Sequence, residues 1–219
     1  MEDVGLPARS SEKRGDLGAP MTIESVSRRA LLKSLSMGAV AGSVLRVIPM
    51  QAAEAAHHMI AAEKADAKGG AYIPKYFDAH QYKTLQSLCE TIFPADADAG
   101  GAIEAGAPEF IDLLTSENTE LQATLGGGMK WLETTCSTRN GKAYLDCTAE
   151  QQKAILDQIA FRKNFEQDPA LLEPIEFFIL LRNMTADAFF TSKIGIKYLG
   201  YKGNTFLTEF PGCPPVPGI

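Results

Sequence analysis

Three observations on this 219-residue chain predict an all-α fold. Apolar side chains recur at three- and four-residue spacing from Asp78 onward, the mark of amphipathic helices. Caps and breakers separate those stretches: Phe93-Pro94, Ala107-Pro108, Thr148-Ala149-Glu150-Gln151 and Asp168-Pro169. Strand candidates occur only near the carboxyl terminus and are too few to build a sheet. The expected plan is a leader and signal peptide over residues 1–55, a linker over 56–77, a helical domain over 78–190 and an extended arm over 191–219.

The leader carries an ordered motif, Ser27, Arg28, Arg29, Ala30, Leu31, Leu32 and Lys33, ahead of an apolar run over 35–48. Gly38, Gly42 and Arg46 interrupt that run, which falls well short of the roughly 20 residues of a spanning helix. Small-residue cleavage sites, Gln51-Ala52-Ala53 and Ala53-Glu54-Ala55, follow directly. This order reads as a twin-arginine signal, which carries already folded proteins to the bacterial periplasm through the twin-arginine translocase. An uncleaved signal acting as a membrane tether is the alternative fate.

Residues 57–70, ending in Lys-Gly-Gly, read as a loose helix or linker with His57 and His58 in its least ordered part. The first domain helix shows Tyr82, Leu85, Leu88, Cys89 and Ile92 in one stripe, then stops at Phe93-Pro94. An acidic loop over 95–101 precedes a short helix that starts near Ala107-Pro108 and buries Phe110, Ile111 and Leu114. A third helical stretch over 117–134 contains Gly126, Gly127 and Gly128. Three glycines cost roughly 3 kcal/mol against alanine, so a break is expected there. The Thr148/Gln151 capping box opens a helix with Ile155, Ile159 and Phe161 to Phe165 facing inward, ending at Asp168-Pro169. The segment over 171–190 has an apolar face wider than one stripe, through Phe177, Phe178, Leu180, Leu181, Met184, Ala188 and Phe189. Such a helix is central in the core or covered on a second side by a partner.

Removing residues 1–55 leaves 14 basic and 21 acidic residues, a net charge of -7. An acidic, unclustered surface argues against nucleic acid, whose binding depends on Lys and Arg neutralising phosphates. Four cysteines follow the signal: Cys89, Cys136, Cys147 and Cys213. An oxidising compartment permits disulfides. Cys136 and Cys147 bracket a turn-rich loop, and closing so short a ring gives roughly 2–3 kcal/mol at best. A Cys89–Cys213 bridge and free buried thiols are the alternatives. No Cys-x-x-Cys or haem-attaching Cys-x-x-Cys-His occurs.

Catalytic patterns are scarce. His57 and His58 are adjacent, so on a helix they point about 100° apart and chelate poorly. His80 reads as a capping or surface residue near Asp78. Asp96 and Asp98 form an Asp-x-Asp loop, but Ala107 stands where an EF-hand needs its glutamate. The glycine triplet lacks the strand and Gly-Lys-Ser/Thr of a phosphate loop. Neither Gly-x-Gly-x-x-Gly nor Gly-x-Ser-x-Gly is present. The expectation is therefore a chain with no metal, no cofactor and no catalytic residue of its own. The rival expectation is a self-sufficient exported enzyme or metal protein using His80, Asp96, Asp98 and the cysteines.

The arm holds Ile194, Ile196, Tyr198, Leu199, Tyr201, Phe206, Leu207 and Phe210 among five Gly and four Pro. So many large apolar groups on a short segment exceed the patch a monomer normally exposes. With Phe178, Phe189 and Phe190, all of these but Leu207 form the expected partner interface; packing back onto the chain's own helices is the alternative. A folded-export signal on a cofactor-free domain suggests that the chain carries a passenger.

Particular residues strengthen that reading. The twin-arginine leader, Ile92-Phe93-Pro94-Ala95-Asp96 with Gly101-Ala102 through Phe110-Ile111-Asp112, Gly141-Lys142 leading to Thr148 and Gln152, and Phe189 to Asn204 closing with Phe210-Pro211-Gly212-Cys213-Pro214 together resemble the small subunit (subunit 3, or gamma) of gluconate 2-dehydrogenases and related sugar dehydrogenases. The cysteine-bracketed insert around Asn140 departs from that pattern. The resemblance implies a non-catalytic helical subunit that escorts and stabilises a large flavoprotein of the glucose–methanol–choline (GMC) type, which holds FAD. A c-type cytochrome would accompany it in some complexes, bringing haem and membrane association. Similar small subunits stand beside glucoside 3-dehydrogenases, so no sugar carries over.

Overall fold

The computed structural model describes residues 49–203, apart from Lys68 and Asp98. The leader motif, Cys213, Phe206 and Phe210 lie outside the described residues. Seven α-helices and no strand occur among the described residues: α1 (Met50–Asp66), α2 (Ala79–Ile92), α3 (Ala107–Ser116), α4 (Thr119–Asn140), α5 (Ala149–Ile159), α6 (Leu172–Thr191) and α7 (Lys193–Tyr198). The all-α expectation holds.

Local chemistry fixes most helix ends. The Asp78 carboxylate accepts from His80 N and Gln81 N, both at 2.8 Å, while Gln81 reaches back to Asp78 N. Asn118 caps α4 in the same way, and Gly141, at φ 64°, ends it in the left-handed conformation that a side chain disfavours. Thr148 and Gln151 form the expected capping box on α5.

α6 is the centre of the bundle. It packs against α1, α2, α3, α4, α5 and α7, so its apolar groups point nearly all round, and Phe177, Leu181, Ala188 and Phe189 have no solvent exposure. Around it stand Leu85 and Leu88 of α2, Phe110, Ile111 and Leu114 of α3, and Leu125 and Leu132 of α4, all fully buried.

Three expectations are corrected. α4 runs unbroken through Gly126, Gly127 and Gly128. The first and last of these are packing positions: a Cβ on Gly128 would lie 1.9 Å from Cγ of Phe177, and one on Gly126 would lie 2.6 Å from the Tyr76 hydroxyl. Close approach of α6 and of Tyr76, which also donates to Gln122 O at 3.0 Å, offsets the helix propensity the glycines give up. Next, α5 ends at Ile159; turns at Arg162–Glu166 and Pro169–Leu171 follow, and Phe161 and Phe165 face solvent. Phe161 stacks under Lys163 instead.

The third correction concerns the loose helix or linker expected over 57–70: its first part belongs to a packed helix, Met50–Asp66. Ala52, Ala53, Ala55, Ala56 and Ile60 are core residues, because alanines let α1 lie close against α3 and α6. The His57 ring packs on Phe110 with centroids 5.2 Å apart, and its Nε2 is 3.0 Å from Thr191 Oγ1. Burial holds the His57 pKa below its ordinary 6.5.

One charged group holds the entry to the bundle. Asp112 of α3 is fully buried, and its carboxylate accepts from the Tyr72 hydroxyl at 2.9 Å and from the backbone N–H of Lys75, Tyr76 and Phe77 at 2.7, 3.1 and 3.0 Å. Four donors satisfy the buried charge and pin the segment over 71–77 across the helices. Tyr72 is driven to a very high pKa by burial and then by this carboxylate.

Candidate partner interface

At the carboxyl-terminal end of α6, Ser192 turns the chain. Its hydroxyl donates to Phe189 O at 2.7 Å and accepts from Gly195 N at 3.1 Å, so one side chain ends α6 and caps α7. The extended arm expected from Thr191 onward is therefore helical in its first part. Gly195 lets this turn close tightly: a Cβ there would lie 2.1 Å from Phe189 O.

The turn assembles an aromatic column running from core to surface. Phe93 and Phe189 stack with centroids 3.9 Å apart, and Phe190 meets both edge-on at 5.8 and 5.2 Å. Tyr198 closes on Phe189 at 6.3 Å. Exposure rises along the column from 0% at Phe189 to 38% at Phe190 and 50% at Tyr198, with Leu199 and Tyr201 beyond at 58% and 54%. The loop after α2 borders it. Ala102 N donates to Phe93 O at 2.9 Å, and a Cβ on Gly100 would stand 3.7 Å from Cδ1 of Ile194. Segments distant in sequence thus meet on one edge.

Of the ten expected interface residues, Phe206 and Phe210 lie outside the described residues, and the other eight divide accordingly. Phe178 and Phe189 are buried in the chain's own core, because α6 is central, and they are not part of an open surface. Ile194 and Ile196 are half-buried, while Phe190, Tyr198, Leu199 and Tyr201 are exposed.

Of the residues of the rival metal or enzymatic reading, His80, Asp96 and Cys89 have separate surroundings, while Asp98 and Cys213 lie outside the described residues. His80 Nε2 lies 2.9 Å from Glu133 Oε1, and Glu133 also accepts from Tyr144 N at 3.1 Å, which ties α2, α4 and the turn before α5. A shallow groove of about 470 Å³ opens beside Glu133, Ser137 and Ala143. Asp96 exchanges hydrogen bonds with Ala99 in its loop. No group of three or more His, Cys, Asp or Glu side chains among the described residues is placed to hold a metal ion. Cys89 is buried with Sγ 3.7 Å from Thr185 Oγ1, and burial pushes its thiol up to about 12.

Cys136 and Cys147 are neighbouring free thiols in the core. Neither Asp112, named only within the family-like stretch Phe110-Ile111-Asp112, nor Glu133 was expected to hold the fold together. A carboxylate set in the apolar run Phe110-Ile111-Asp112-Leu113-Leu114 was the available signal for the first; Glu133 sits among ordinary helix-surface residues and carried none.

No helix among the described residues is long and apolar enough to cross a membrane. Neither a curated protein nor a solved structure matches the chain. Residues 79–212, from the start of α2 through the aromatic edge, match the family described as gluconate 2-dehydrogenase subunit 3, and the chain belongs to that family.

Proposed function

We propose that this protein is the non-catalytic small subunit of a periplasmic, FAD-dependent sugar or gluconate dehydrogenase. It exports and stabilises a GMC-type flavoprotein, with a c-type cytochrome as a further partner in a membrane-associated complex. The observation that carries this reading is the aromatic edge. Within the stretch that matches the family, Phe190, Tyr198, Leu199 and Tyr201 are exposed within twelve consecutive residues, at the outer end of the aromatic column, whereas the other exposed large apolar side chains (Ile103, Phe161, Phe165 and Leu172) lie on other segments. FAD belongs to the partner in this scheme, and the chain's part is to bind and to carry.

Two measurements test it. Replacing Arg28 and Arg29 by lysine strands the flavoprotein in the cytoplasm together with this chain; a flavoprotein still found in the periplasm overturns the escort role. Replacing Leu199 and Tyr201 by aspartate abolishes co-purification of the flavoprotein while the bundle stays folded. Undiminished co-purification overturns the interface. The packed α1 adds that any cleavage of the leader falls before Ala52, which the intact mass of the periplasmic protein reads directly.

A further inference from the structure

The last turns of α4 and the first residues of α5 are joined by a short connection. Cys136 has no solvent exposure, and Cys147, one residue ahead of the α5 cap Thr148, has 8%. The two thiols are neighbours, close enough for Cys147 to act on the ionisation of Cys136. Cys147 is held in place from both sides: its N–H donates to Tyr144 O at 3.2 Å, and its Sγ accepts from Asn140 Nδ2 at 3.6 Å. Tyr144, wholly buried, fills the space beside the pair. Burial, and then Cys147 itself, pushes the Cys136 thiol up to about 12, so Cys136 keeps its proton and is the less reactive of the two.

We propose that Cys136 and Cys147 form a disulfide on the already folded chain, a staple between α4 and α5 that is absent before export and closed after it. The thiolate of Cys147, the more accessible sulfur, attacks one sulfur of a disulfide oxidant and expels one thiolate. Cys136 then loses its proton and attacks Cys147 Sγ, expelling the second. Two electrons pass to the oxidant, the two protons end on the two released thiols, and one S–S bond replaces another. The proximity of the thiols belongs to the fold; only the place of closure rests on the proposed export. A protein that crosses the membrane folded gains little from a staple needed for folding. A pair already neighbouring in the folded state needs only a local adjustment of two side chains to close.

The test uses the full chain, purified reduced and equilibrated in a glutathione redox buffer both as folded protein and through refolding. The expected result is a peptide map with Cys136 joined to Cys147 while Cys89 stays alkylatable after denaturation. The oxidised form should melt roughly 5–10 °C above the reduced form, from closure of a short ring. C136S and C147S each remove the reductant-sensitive part of the melting temperature. If the unaltered chain keeps both thiols through both routes, or joins either to Cys89 or Cys213 instead, the staple is refuted. The same map on protein from the cytoplasm and from the periplasm tests where it closes. A bridge that forms in buffer but is found in neither compartment refutes closure after export and leaves the proximity of the thiols standing.

Discussion

The interior around α3 and α6 and the edge around α7 are built from the same kinds of residue and treat them in opposite ways. In the interior, Phe110, Phe177 and Leu114 are wholly covered and the one buried carboxylate has four donors. At the edge, Tyr198, Leu199 and Tyr201 are at least half exposed although each carries a large apolar body. Fixed donors and close packing mean that the interior is complete by itself. The edge follows a turn held by one serine and leaves apolar surface open.

The comparison can be broken most forcibly at Asp112. Asp112→Ala leaves three backbone N–H groups and a tyrosine hydroxyl without their acceptor, and a loss of about 3–5 kcal/mol is expected by denaturant unfolding. A loss under 1 kcal/mol would mean that the segment over 71–77 is not pinned by the charge. Gly128→Ala comes next: the new methyl would overlap the base of the Phe177 ring, and a destabilisation of about 2–3 kcal/mol is expected. Its neighbour sharpens the point by reversing sign. Nothing lies within 4 Å of a Cβ on Gly127, so Gly127→Ala should stabilise by about 0.5–1 kcal/mol through helix propensity alone. The smallest change in stability belongs to the edge, where Leu199→Asp should shift the unfolding midpoint by less than about 0.5 kcal/mol. A large shift there would show that the edge is part of the core after all.

Much of the architecture could be read in the chain. Periodicity located α2, α3 and α6, and the Thr148/Gln151 box began α5 at the residue expected, because caps and amphipathic stripes are local devices whose partners lie within one or two turns. The glycine triplet misled, since its cost is local but its compensation, Phe177 and Tyr76, comes from segments about fifty residues away on either side. The alanines of α1 misled in the same way: a low-contrast helix shows no stripe, and only neighbours willing to approach closely reveal its buried side.

By itself the sequence determined the class of fold, most helix starts and the family to which residues 79–212 belong, since these rest on residue order and short-range contacts. The tertiary structure alone decided which large apolar side chains are core and which are surface. Phe189 and Phe190 are consecutive on one helix, yet one is sealed against Phe93 and the other is open. Adjacent helical positions point about 100° apart, and which of those directions meets protein is settled only when the remaining helices are in place.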